Sequence, residues 1–123
     1  DYLPHNYTEN CVAYTGTHDN ETITGWFRSI KKEERKMARA YLCDRHTPER
    51  LLYRSFISLV MRSSARLCVI PMQDYLGLGN NCRTNKPSTV GINWRWRVTQ
   101  KELSDSLQED ILAMTKRYGR MRY

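Results

Sequence analysis

Apolar positions along the chain fall into two unbroken short runs and several stretches of helical period. The runs, at about 11–15 and 67–72, read as buried strands, the second buried on both faces as parallel sheets require. The segment between them carries three helical patterns. The first, near 22–29, contains Gly25 and is short. The second, about 31–43, has Met37, Ala40 and Tyr41 as its apolar stripe. The third opens on Thr47-Pro48-Glu49, a capping hydroxyl, a proline at the first helical position and an acid at the positive end of the dipole. Its apolar repeat Leu52, Phe56, Leu59, Val60 carries it to about Ser64. A last helix covers about 103–118, with Leu107, Ile111 and Met114 inward and a capping box from Ser106 and Glu109 at its start. Residues 1–7 form a lead-in loop. The order strand, three helices, strand, loop, helix predicts a βαβα piece of an α/β protein with an enlarged crossover.

At 123 residues the chain suffices for one domain, about half of the roughly 250 of an eight-stranded barrel. It opens on Asp1 rather than Met, which suggests processing or a piece cut from something longer. No apolar run reaches the ~20 residues that span a bilayer, so no membrane partner is expected. The net charge of +7, with eight tyrosines and three tryptophans, raises nucleic-acid binding. Mixed stretches such as Lys31-Lys32-Glu33-Glu34-Arg35-Lys36 instead describe a solvated helix face, and only the tail 116–122 is a basic cluster. Nucleic acid is therefore not the expected partner. Cysteines 11, 43, 68 and 82 lack metal spacing, and two fall in strands. They read as free thiols of a cytoplasmic protein. A zinc site from Cys43 and His46 has no support in the spacing, and His46 reads as a surface or capping residue. No cofactor is implied.

The chemistry concentrates where strands hand over to helices. His18 and Asp19 follow the first strand, and Gln73 and Asp74 occupy the same place after the second, so both pairs face one mouth. Asp19 or Asn20 could equally serve only to cap the following helix. The polar stretch 80–91 is long and irregular, as functional loops are. Trp94 and Trp96 after it, with Arg95 and Arg97 interleaved, suggest an ordered loop pinned by tryptophan packing.

Five stretches occur in order: 2–7 (YLPHNY), 14–20 (YTGTHDN), 71–79 (PMQDYLGLG), 85–89 (NKPST) and 93–97 (NWRWR). Together they closely resemble the carboxyl-terminal portion of the 4-alpha-glucanotransferases, also called amylomaltases or disproportionating enzymes. The resemblance implies a (β/α)₈ TIM-type barrel whose last two strands and their helices lie in this chain, as one domain fragment over 1–123. It implies transfer of alpha-1,4-glucan segments to an acceptor glucan by a retaining mechanism, with a carboxylate nucleophile and an acid about 5 Å apart. By the resemblance both precede this chain, so the fragment alone is expected to be inactive. Asp19 then matches the third catalytic acid, which steadies the transition state. His18, Asn85, Pro87, Asn93, Trp94 and Gln73 match substrate contacts, although Thr84 and Lys86 stand at positions expected to vary. The partners implied are maltooligosaccharides and the rest of the barrel. The alternatives are a non-catalytic piece contacting sugar or a partner, and a basic nucleic-acid module.

Overall fold

The computed structural model describes residues 2–122, so the ends of the expected 1–123 domain, Asp1 and Tyr123, lie outside the described residues. Strand β1 (Val12–Tyr14) leads through the turn 15–22 into α1 (Ile23–Ser29) and α2 (Lys32–Leu42). A 3₁₀ turn at Glu49–Leu51 precedes α3 (Tyr53–Met61), and β2 (Leu67–Val69) returns beside β1. The two strands are parallel, with Val12 opposite Leu67, Ala13 opposite Cys68 and Tyr14 opposite Val69. Beyond β2 come the one-turn helix α4 (Met72–Tyr75), a 3₁₀ turn at Asn80–Cys82, a long loop, and α5 (Asp105–Arg117). This is the anticipated order, with one helical turn added directly after the second strand.

The helices cover one face of the strand pair. Ala13 packs with Val60 and Ala65, while Ile23, Ile57, Met61 and Met114 form the central cluster and Phe27, Leu42 and Leu52 a third. The opposite face is bare. Val12, Tyr14, Leu67 and Val69 share it and are between 41% and 54% exposed. The expectation of a second strand buried on both faces is therefore corrected: among the described residues, nothing packs on this apolar side.

Several local expectations change for physical reasons. The buried side of α2 is Arg35, Ala38, Arg39 and Leu42, and Met37 faces solvent. The two guanidiniums lie 6.0 and 5.7 Å from the Phe27 ring centre, so arginine stems supply the cover that an apolar count assigned to Met37. The third helix does not run unbroken from Thr47. Pro48 precedes a 3₁₀ turn, and the α-helix begins at Tyr53 and ends at Met61. Ser104, not Ser106, caps α5, its hydroxyl accepting from Leu107 N–H at 3.1 Å. Neither Asp19 nor Asn20 caps α1; Thr22 does, accepting from Gly25 N–H at 3.1 Å. The lead-in loop contains a 3₁₀ turn at Pro4–Asn6.

Asp44 organises the corner between α2 and α3. Its carboxylate accepts from the Ser55 hydroxyl at 2.6 Å and from Thr47 N–H at 3.0 Å. These bonds, Ser55's foremost, hold its carboxyl down at about 2, below the ordinary 3.8. A carboxyl whose folded value is depressed stabilises the fold fully above its unfolded value and ceases to do so as pH falls through the folded one. Between pH 4 and 2 the thermal midpoint is thus expected to fall less steeply for Asp44→Asn than for the unaltered protein. Identical acid limbs in thermal denaturation would remove Asp44 from this role.

Arg54 of α3 and Asp110 of α5 form a two-pronged ion pair, Nη2 to Oδ1 at 2.9 Å and Nη1 to Oδ2. The Arg120 guanidinium donates to the carbonyls of Met61, Ser63 and Ala65 at 2.7–3.0 Å, tying the tail to the end of α3. Part of the basic tail is therefore spent on internal bonds. No helix of the described residues is long and apolar enough to cross a membrane.

Candidate active site

The turn after β1 closes on itself. Asn20 Oδ1 accepts from the Thr17 N–H at 2.7 Å and from its hydroxyl at 2.8 Å, and Asn20 N–H returns to Thr17 carbonyl at 3.2 Å. The intervening His18 and Asp19 are held outward, with His18 Nε2 3.3 Å from Asp19 Oδ2. The adjacent polar pair that the sequence suggested is therefore a pair in space.

The long loop after α4 reaches the same place. Asn85 Nδ2 donates to Asp19 Oδ1 at 2.6 Å, and Asn85 N–H donates to His18 carbonyl at 3.0 Å. Arg83 donates to the backbone carbonyl of Asp19 at 2.6 Å and to that of Asn85 at 2.9 Å. A cation thus braces both loops without touching the Asp19 carboxylate. The carboxylate oxygens meet only the Asn85 amide and a His18 ring nitrogen, and half of the side chain is exposed to solvent. A carboxylate has about four lone-pair positions, so room remains for further donors. Nothing in the sequence singled out Arg83, because an arginine amid asparagines looks like any loop cation.

The two tryptophans behave differently. Trp94, in the left-handed region at φ 63°, stands exposed with its ring 5.2 Å from the His18 ring. The backbone N–H of Trp94 donates to Thr84 carbonyl at 2.7 Å. Trp96 is half-buried, and its backbone carbonyl accepts from Arg97 Nη1 at 2.8 Å. Asn93 also works inside the loop, accepting from Lys86 N–H at 2.8 Å and donating to Thr89 carbonyl at 3.0 Å. Pro87 sits in the turn beside Ser88, whose φ of 63° is the left-handed conformation such turns ask of their third residue. Asn93 and Pro87 therefore shape the loop, and neither is placed against Asp19.

Gln73 and Asp74 line the cleft at the strand ends with His18, as bonded side chains. Both are buried in α4. Gln73 Nε2 donates to Cys82 carbonyl at 3.1 Å and Thr84 hydroxyl at 3.0 Å, anchoring the long loop. Asp74 accepts from the Thr15 hydroxyl at 2.7 Å and Ile23 N–H at 2.8 Å. Burial raises its carboxyl above the usual range, and the two bonds oppose that. Asn80 adds a brace, accepting from Thr22 N–H at 3.2 Å and donating to Glu21 at 2.7 Å. A Cβ on Gly25 would sit 2.1 Å from the Asn80 amide oxygen, so glycine is what admits this side chain.

A cleft of 490 Å³ opens between the two strand ends, with His18, Thr17, Tyr14, Gln73, Asp74 and Arg83 among its walls. Asp19, Asn85 and Trp94 stand beside it, joined to it through His18. Among the described residues no group of three His, Cys, Asp or Glu is arranged to hold a metal ion, Cys43 and His46 included. Acceptor-rich, amide-rich and aromatic at once, the rim suits a polyhydroxylated ligand: hydroxyls donate to carboxylate and accept from amide, and a ring face rests on tryptophan.

Comparison with known proteins agrees with that chemistry. Residues 1–103 match the family model described as 4-alpha-glucanotransferase. The chain is 46% identical over 120 residues to the 4-alpha-glucanotransferase of Clostridium butyricum, covering 97% of this chain and 24% of that protein. It is 42% identical over 126 residues to the chloroplastic/amyloplastic 4-alpha-glucanotransferase of Solanum tuberosum, covering 98% and 21%. An amylomaltase from Streptococcus agalactiae, solved in complex with acarbose, superposes with a TM-score of 0.90 at 34% identity. That match covers 98% of this chain and 24% of the other. The chain thus spans about a quarter of the length of the relatives it matches.

Proposed function

The chain belongs to the 4-alpha-glucanotransferase family, and from that membership we propose that it forms the carboxyl-terminal part of a (β/α)₈ catalytic barrel whose enzyme moves alpha-1,4-glucan segments to acceptor glucans. The observation that carries this reading is the Asp19 carboxylate, bonded to Asn85 and set beside His18 where two parallel strands end. The exposed apolar face of Val12, Tyr14, Leu67 and Val69 supports the barrel, because strands in a closed barrel direct one set of alternate side chains into a packed interior.

In a retaining reaction the sugar passes through an oxocarbenium-like transition state between a nucleophile and an acid. Both groups lie upstream of this chain. Asp19 accepts hydrogen bonds from the hydroxyls of the ring that carries the developing charge. Its partner Asn85 is neutral, so the bond fixes the carboxylate's direction and leaves its charge available to the sugar. His18 lies against a neighbouring hydroxyl, and Trp94 offers its face to an adjoining ring. The Streptococcus agalactiae relative solved in complex with acarbose supports a saccharide ligand for the complete enzyme.

The complete polypeptide is expected to convert maltotriose into glucose and longer maltooligosaccharides. Product chromatography and proton NMR of the new bonds check it. Hydrolysis without lengthening, or beta-linked products, would count against retaining transfer.

A further inference from the structure

We propose that Asp74 is a positioning residue for Asp19: from the turn after the second strand it clamps both ends of the loop that carries the Asp19 carboxylate. The inference rests on the transferase reading of Asp19 given above. Asp74 is 2% exposed, and among the described residues it has no ion-pair partner. Burying a carboxylate without a cation is costly, so its oxygens must find strong donors. One takes the Thr15 hydroxyl, where β1 ends, and the other takes Ile23 N–H, where α1 begins. The seven residues between those anchors include His18 and Asp19.

The Thr22 cap reaches Gly25 N–H only, and Asp74 takes the Ile23 N–H at the same helix start. What Asp74 adds is a link across the chain. Thr15 and Ile23 flank the Asp19 loop, Asp74 lies in α4 ahead of the second loop, and the separation along the sequence is 51 to 59 residues. The second loop also supplies Asn85, which meets Asp19 directly. Asp74 therefore sets the distance between the Asp19 loop and the loop that orients its carboxylate. Catalytic geometry is sensitive at this scale, a misplacement of about 1 Å costing roughly a hundredfold in rate.

The test compares Asp74→Leu, Asp74→Asn and Thr15→Val in the complete transferase, each alone and combined with Asp19→Asn, with maltotriose as substrate. Alone, Asp74→Leu is expected to lower kcat about a hundredfold and Thr15→Val about tenfold, with KM changing less than about threefold. Asp74→Asn should lose less than Asp74→Leu, because the amide oxygen still accepts from Ile23 and the Thr15 hydroxyl can turn to accept from the amide nitrogen. With Asp19→Asn already present, the same changes should cost less than about threefold more, the signature of residues acting through one another. Full additivity in that background would overturn the proposal, as would an unaltered kcat in Thr15→Val, which decides the matter should Asp74→Leu not fold. An unchanged kcat in Asp19→Asn alone would instead overturn the underlying reading and this proposal with it.

Discussion

Replacing Asp19 by asparagine in the complete transferase is expected to lower kcat about a thousandfold, with KM moving less than about tenfold. An asparagine keeps the shape and one acceptor oxygen, so much of the ground-state contact with sugar hydroxyls survives. It loses the negative charge, which matters only as positive charge builds on the sugar. Interactions that strengthen toward the transition state act on kcat. Contacts to a ring hydroxyl that strengthen there supply several kcal/mol, and about 4 kcal/mol corresponds to the stated loss. Asn85 sharpens the expectation, since its amide nitrogen would face either an amide oxygen or an amide nitrogen at 2.6 Å from the present Oδ1. Steady-state kinetics with maltotriose checks the split. A kcat within threefold of the unaltered enzyme would leave Asp19 as a loop-shaping residue.

The second large effect concerns the isolated 123-residue chain, which is expected to form no product from maltotriose. The relatives it matches are about four times longer, and the nucleophile and acid of the proposed mechanism belong to the earlier part. Without them the Asp19 rim has no group to attack the anomeric carbon or protonate the departing oxygen. The apolar face of β1 and β2 should announce the missing neighbours physically. Val12, Tyr14, Leu67 and Val69 form one contiguous exposed side of a two-stranded sheet with open edges, a surface prone to association. Binding of a hydrophobic dye, or concentration-dependent sedimentation, is expected of the isolated chain and not of the complete enzyme. Measurable turnover by the chain alone would show that its own carboxylates suffice and would dismantle the assignment of roles.

The sites that local chemistry could reveal were legible. The His18-Asp19 pair at a strand-to-helix turn and the polar pair one strand later follow from run lengths and breakers, and both fall where the fold places them. The two tryptophans could not be told apart by sequence, since each is flanked by arginine in the same short stretch. Only the loop's path decides that Trp96 is half-buried and Trp94 stands out beside His18. The stripe of α2 was misread for a related reason: an apolar count passes over arginine, whose long stem covers Phe27 as a hydrocarbon would.

Residue order alone determined the βαβα succession, the parallel pairing that a long crossover requires, and the family, since periodicity, breakers and short motifs are written within a few neighbouring positions. Tertiary structure decided everything that depends on partners distant in the chain. It placed the Asn85 amide on Asp19 across 66 positions, set Gln73 and Asp74 as buried braces in the cleft wall, and left one side of the strands bare. The reason is physical: a hydrogen bond or a covered face depends on where two remote segments meet, and that meeting is set by packing of the whole rather than by the composition of either segment.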